Sequence, residues 1–296
     1  MGTDSPRAPR PDRFSRRVAL LVGAVAAALS PLCTAAQTDL GLFAGVSFYN
    51  GELAPIEWTG YFQEMRPTGG VFLRRGLVEH LAFRVAAQAG QFQGADTRRG
   101  GTTDARNLSF RSTFYEGALT LEVYPFRRER RLAPYISFGF AAYHFNPTAV
   151  INGRRIDLQP LGTEGQGAPG FKDKYSRTRL AVPVGGGLHL QLSDRWGVFG
   201  ELVGRATFFD YLDDVGGYYA DSAVLLANGG PDAVAAGNPS TQVPGAEPFG
   251  RPGSLRGGSP GIKDYYYSGQ LGATFRLGEG NGRGGPGGKD PKCYKF

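Results

Sequence analysis

The sequence predicts an all-β protein, an eight-stranded antiparallel transmembrane β-barrel of outer-membrane type, with short periplasmic turns and long extracellular loops. Three observations carry this reading. Segments that alternate apolar and polar residues recur along the chain, and a period of two marks a strand with one face in an apolar medium. The connections between them run long, short, long, short, long, short, long, which gathers the long ones at one end. Beyond residue 32 no segment is apolar over the roughly 20 residues a membrane helix needs, and only helices and closed barrels satisfy their backbone polar groups in hydrocarbon.

Residues 1–36 read as a cleavable signal. Arg7, Arg10, Arg13, Arg16 and Arg17 form a positive leader, residues 18–32 are almost continuously apolar, and Thr34-Ala35-Ala36 supplies small residues for cleavage before Gln37. Ser15-Arg16-Arg17 is a weak twin-arginine match. Leu32 is too large for a lipobox at Cys33. Residues 37–277 are assigned to the barrel and 278–296 to a glycine-rich periplasmic tail.

Within the barrel the sharpest strand comes last. Tyr267, Gly269, Leu271, Ala273, Phe275 and Leu277 share one face, and Ser268, Gln270, Gly272, Thr274 and Arg276 the other. Residues 196–208, 180–192, 113–124 and 80–92 repeat the pattern. Residues 40–49, 69–75 and 135–145 follow it less cleanly. The short connections are then 75–79, 126–133 and 193–195, and the long ones 50–68, 93–107, 146–175 and 211–262. With the amino terminus inside, every long loop faces outward and both termini are periplasmic. Phe48, Tyr49, Tyr124, Phe126, Tyr143, Phe145, Trp196, Phe208, Phe209, Tyr211 and Tyr265 to Tyr267 lie near strand ends, where an aromatic girdle belongs. Residues 227–259, rich in Gly, Pro, Ala and Ser, read as a mobile surface loop.

Charge and cysteine usage narrow the function. The net charge of +7 falls to +4 once the leader's five arginines and two aspartates are set aside. That excess is scattered, whereas nucleic-acid binding wants a concentrated basic patch. Cleavage removes Cys33 and leaves Cys293 as the one thiol of the mature chain, so a disulfide-stapled domain is excluded. An unpaired cysteine beyond a flexible tether, flanked by Lys292 and Lys295, is a candidate intermolecular contact.

Arg84, Glu116, Glu122, Arg179, Glu201, Arg205 and Arg276 all fall on polar strand faces. A barrel of eight strands is just wide enough for its own side chains to fill it, so these residues predict a lumen network of paired charges rather than a pore. Catalytic signals are weak: His144 lies near Asp210, Asp213 and Asp214 in the predicted topology, but no nucleophile motif accompanies them. Asp210-x-x-Asp213-Asp214 has oxygen ligands of the kind calcium takes but lacks the glycine and glutamate of an EF-hand loop. Gly162-x-x-Gly165-x-Gly167 has no following helix to hold a phosphate. The sequence therefore predicts neither catalytic residues, nor a cofactor, nor a metal site.

Three stretches carry a family resemblance. Phe43 to Leu53 (FAGVSFYNGEL) resembles an opening strand and first loop. Leu158 to Gly167 (LQPLGTEGQG), with Tyr175-Ser176 and Ala181 to Gly187 (AVPVGGG), resembles a third loop and sixth strand. Arg205 to Val215 (RATFFDYLDDV) resembles a seventh strand entering the fourth loop. The chain is similar in these to the DUF6089 outer-membrane barrels of Bacteroidota, which include the PorG-type component of the type IX secretion system. The resemblance implies a non-enzymatic protein in contact with outer-membrane lipid and with periplasmic ring components of that machinery. From the residues alone, a surface-binding protein or adhesin using the long loops stands as the alternative, and a small outer-membrane hydrolase as a third reading.

Overall fold

The computed structural model describes residues 37–99, 104–243, 250–257 and 263–277. The leader, the tail and Cys293 lie outside the described residues. The described residues form nine strands: β1 (Thr38–Asn50), β2 (Arg66–Val78), β3 (Leu81–Ala95), β4 (Ser109–Val123), β5 (Leu132–Ile151), β6 (Arg154–Asp157), β7 (Thr178–Gln191), β8 (Trp196–Ala206) and β9 (Tyr265–Leu277). Eight of them close into an antiparallel barrel in which each strand pairs with its neighbours around the ring. β1 pairs with β9 from Thr38↔Leu277 to Asn50↔Tyr265, and this seam leaves no open edge. The eight expected strands are thus all present, most of them a few residues longer than their sequence patterns.

β6 is the ninth strand and was not expected. It folds back on the end of β5 through Asn152-Gly153, both with positive φ (50° and 75°). Asn-Gly is the preferred pair for a two-residue hairpin turn because both positions need the left-handed region. The sheet therefore rises above the barrel wall into the third long loop.

Alternation sorts the side chains. Leu42, Leu73, Leu119, Phe140, Leu180, Leu202 and Leu271 point outward and are exposed, while Ser47, Arg74, Gln88, Glu116, Ser137, Glu201 and Thr274 point inward and are buried. An apolar exterior around a polar interior is the reverse of a soluble barrel and matches a wall that faces lipid. No helix of the described residues is long and apolar enough to cross a membrane.

Packing in the lumen explains two of the glycines. Phe43, Phe72 and Phe199 form a small apolar layer across the middle. A Cβ on Gly41 would lie 2.1 Å from the Phe72 ring, and one on Gly272 would lie 2.5 Å from Phe199. Each ring lies over bare backbone on a neighbouring strand.

Half of the expected girdle lies inside. Tyr49, Tyr124, Tyr143, Phe145 and Tyr266 are buried in the lumen, whereas Phe126, Trp196, Phe208 and Tyr265 are exposed. Consecutive strand residues face opposite ways, so the run Tyr265-Tyr266-Tyr267 sends only its outer two members to the wall. On the outside, Phe48 stacks on Tyr267 at 5.3 Å and Trp196 packs on Phe275 at 4.9 Å.

All four long connections, 51–65, 96–108, 152–177 and 207–264, lie at one end, and the short turns lie at the other. Gln37 and Leu277 are both at the turn end, where the Gly76 N–H donates to the Gln37 carbonyl.

Candidate functional site

Among the described residues, polar assemblies occupy both the lumen and the long loops. In the lumen, Arg84 donates from Nη1 and Nη2 to Glu201 Oε2 and Oε1 at 2.8 and 2.7 Å, a two-pronged ion pair from β3 to β8. Ser137 adds a bond to Glu201 at 2.9 Å. Glu122 takes a second contact from Arg84 at 3.2 Å and one from Arg74 at 2.6 Å, and accepts from the Tyr124 hydroxyl. One layer toward the loops, Arg205 pairs with Glu116 at 3.1 Å and donates to Ser268 at 2.6 Å. Gln88 and the Tyr266 hydroxyl also donate to Glu116. Charges removed from water persist only when paired and hydrogen-bonded, and these two clusters balance three arginines against three glutamates.

Five of the seven residues singled out in the sequence meet here: Arg84, Glu116, Glu122, Glu201 and Arg205. The other two stand apart. Arg179 lies at the loop-end rim, with its guanidinium 4.3 Å above the Phe209 ring. Arg276 is at the turn end, 3.7 Å from Asp39 and bonded to Gln191. Both side chains belong to the inward register but sit too near the strand ends to reach the central glutamates. Arg74 was missed, because the doublet Arg74-Arg75 conceals which arginine faces inward. The Phe72/Arg74 alternation against Val71 and Leu73 carries the signal.

The long loops are not a loose fringe. Their described residues fold into a cap over the barrel mouth, where Leu53, Leu108, Leu158, Tyr175, Phe209, Leu212, Val215 and Ala236 continue the barrel's aromatic core. Three helices help build it: α1 (Trp58–Glu64), the single turn α2 (Asp96–Arg99) and α3 (Ser222–Gly237). The segment read as a mobile surface loop therefore begins inside a helix. Asp221 caps α3 by accepting from Ala223 N at 2.7 Å, and Gly230-Pro231 kinks it. Its Ala233 and Ala236 are buried, and Ala236 joins the apolar cluster that holds Leu158 and Leu161 of the third loop.

Buried charge pins the cap. Arg106 grips Asp96, donating at 2.8 Å from Nε, and reaches the Arg256 carbonyl at 2.7 Å. Arg256 lies 3.4 Å from Glu164 and donates to the carbonyls of Asp214, Ala236 and Gly237. Asp214 accepts from the Tyr175 hydroxyl at 2.6 Å and from Thr163. A cavity of about 120 Å³ lies between Leu53, Leu108, Leu158, Asp213 and Arg256.

A third group is short of positive charge. The Tyr49 hydroxyl lies 2.8 Å from Asp213 Oδ2 and 2.7 Å from Asp264 Oδ1, so one phenol proton faces two carboxyl groups. Glu52 and Asp210 sit beside Asp264. Burial pushes the Glu52 carboxyl up to about 7, and burial, with repulsion from Asp264 on Asp213 and from Glu52 on Asp264, raises both aspartates well above their ordinary value. Asp214 is raised by burial to about 6 even though Arg256 opposes the shift.

The histidine arrangement weighed for catalysis does not form. His144 points outward from β5 and bonds Thr178 at 3.0 Å, on the far side of the wall from the buried aspartates. Gly162, Gly165 and Gly167 are positive-φ turn residues of the third loop rather than a phosphate cradle.

No family model matches the chain, and no curated protein matches it. Solved structures do. The N-terminal β-barrel domain of Pseudomonas aeruginosa OprF is 10% identical, with a TM-score of 0.34, over 81% of this chain and 97% of that one. Neisserial surface protein A is 7% identical, with a TM-score of 0.40, over 81% and 97%. A major outer membrane protein from Thermus thermophilus is 14% identical, with a TM-score of 0.38, over 81% and 99%. At such identities the likeness extends to no ligand, partner or activity.

Proposed function

We propose that the protein is a non-enzymatic, non-conducting outer-membrane barrel that serves as a structural anchor for a protein-secretion apparatus. The observation that carries the anchoring role is the filled lumen: Arg74, Arg84, Glu122 and Glu201 bridge the barrel in one buried layer, and Glu116 with Arg205 bridges it in a second. Such a barrel is a rivet through the membrane rather than a passage. The type IX machinery and its periplasmic ring enter through the resemblance to DUF6089 barrels alone. In this reading the cap faces outward, the turn end faces the periplasm, and the tail with Cys293 meets the ring.

Affinity purification from detergent-solubilised envelopes tests the proposal. Full-length protein is expected to bring down periplasmic partners. Removal of residues 278–296, or Cys293→Ser on non-reducing gels, should lose or weaken them. Absence of any periplasmic partner, or retention unchanged without the tail, contradicts the anchoring role.

A surface-binding role is favoured by one observation. On α1 the side chains of Trp58 (85% exposed) and Phe62 (72%) project from the rim of the cap. Loss of binding to cells or matrix in Trp58→Ala/Phe62→Ala, with periplasmic partners retained, would select that reading.

A further inference from the structure

We propose that Glu52, Asp210 and Asp264, at the junction of the barrel mouth and the cap, form a binding site for a divalent cation of the calcium type. One carboxylate oxygen from each lies within 4.8 Å of the other two. Oxygens held 2.3–2.6 Å from a shared calcium ion are at most about 5 Å apart, so the three are already spaced as ligands of one ion.

The atoms left over point the same way. Glu52 is 6% exposed and Asp210 9%, and their Oε2 and Oδ1 atoms are buried without a hydrogen-bond partner. Buried carboxylate oxygens without donors are costly, and here two of them border one acidic cluster. Asp264 is fully buried and keeps one donor on each oxygen, Tyr49 on Oδ1 and Leu212 N on Oδ2, so its orientation is fixed.

Counter-charge is scarce. The Lys263 ammonium lies 3.7 Å from Asp210 Oδ2 and is 42% exposed. Arg106 is engaged with Asp96, and Arg256 with Glu164 and Asp214. Among the described residues no cationic side chain touches Glu52, Asp213 or Asp264. Four buried carboxyl groups, counting Asp213 across the Tyr49 hydroxyl, have one half-exposed ammonium among them, and it pairs with Asp210 alone. A bound divalent ion supplies the missing charge. All-carboxylate oxygen donors suit hard cations such as calcium rather than the softer transition metals, and magnesium, which demands a tighter octahedron and keeps its waters, should bind more weakly.

The site also has a mechanical meaning. Glu52 belongs to the first long loop, Asp210 to the start of the fourth and Asp264 to its end, directly before β9. One ion would tie both loops to the closing seam of the barrel.

The test is calorimetric titration of calcium chloride into chelator-treated, full-length protein in detergent free of lipopolysaccharide. Magnesium chloride is the comparator, and heat-modifiability gels confirm folding. One saturable calcium site per chain is expected. Glu52→Gln and Asp210→Asn should each weaken it at least tenfold, and Asp39→Asn, at the turn end, should bind as the parent does. A paramagnetic lanthanide added to the unmutated protein should broaden amide signals at residues 51–53, 209–214 and 263–265 before any others, which locates the site without a variant. No saturable binding by the folded parent up to millimolar calcium overturns the proposal, and so does broadening centred elsewhere or calcium affinity unchanged in both variants.

Discussion

Replacing Glu201 with Gln removes one charge from a network that is balanced only with it. Arg84 donates two bonds to Glu201 at 2.7 and 2.8 Å, and its second partner, Glu122, is already held by Arg74 at 2.6 Å. In Glu201→Gln the two guanidiniums share Glu122, and a full positive charge is left in the lumen. Breaking a buried pair from one side costs about 3–5 kcal/mol. The contact to Glu122 and the remaining amide oxygen put the loss near the lower end, at about 3 kcal/mol, which is roughly a hundred-fold in the folding equilibrium. Urea titration in detergent micelles or vesicles measures it. The double variant Arg84→Met/Glu201→Leu, which removes both charges and keeps the volume, should recover most of the loss. A single variant within about 0.5 kcal/mol of the parent, or a double variant no better than the single, would refute the view that the lumen is held by obligatory pairing.

Depth across the wall gives a second test: Leu271→Arg, mid-strand and 74% exposed, should destabilise the barrel by about 2–4 kcal/mol, while Tyr265→Arg on the same face at the loop end should cost about 0–1; equal losses in vesicle refolding would mean that the face does not meet lipid. Asp214 should make the cap pH-sensitive. Its folded value of about 6 exceeds its unfolded value, so its stabilising contribution is full below about 4 and is lost as pH rises through 6. Asp214→Asn should flatten the stability slope between pH 4 and 7 relative to the parent, and an unchanged slope would contradict the assignment. Amino-terminal sequencing of the envelope form should begin at Gln37 within a residue or two, and an intact Met1 or an acylated Cys33 would contradict the cleavage reading.

The wall was legible in the sequence because period-two alternation is a local property. A residue such as Leu271 or Glu201 declares its side by its neighbours, and the lumen pairs among Arg84, Glu116, Glu122, Glu201 and Arg205 follow once the sides are known. Failures came where geometry is set along the barrel axis. Arg179 and Arg276 have the right facing, but alternation says nothing about height, and both stand at the rims. The cap was illegible for a different reason. Arg106 pairs with Asp96 inside the second long loop, and Arg256 with Asp214 inside the fourth and with Glu164 of the third, and no periodicity marks any of them. Glu52, Asp210 and Asp264 come from three separate points in the chain. Two local signals were available: Asn152-Gly153 for the extra hairpin, and Asp221 ahead of an alanine-rich stretch for α3.

Whether the membrane-spanning barrel is sealed by its own charges is read out by conductance across planar lipid bilayers. Purified protein, with its heat-modifiable folded state verified, should insert without opening discrete ion-conducting steps, and Glu201→Gln/Glu116→Gln should raise leakage relative to the parent. Stable unitary conductance from the unmutated protein would contradict a lumen closed by Arg74, Arg84, Arg205 and their glutamates, and the anchoring role built on it would fall.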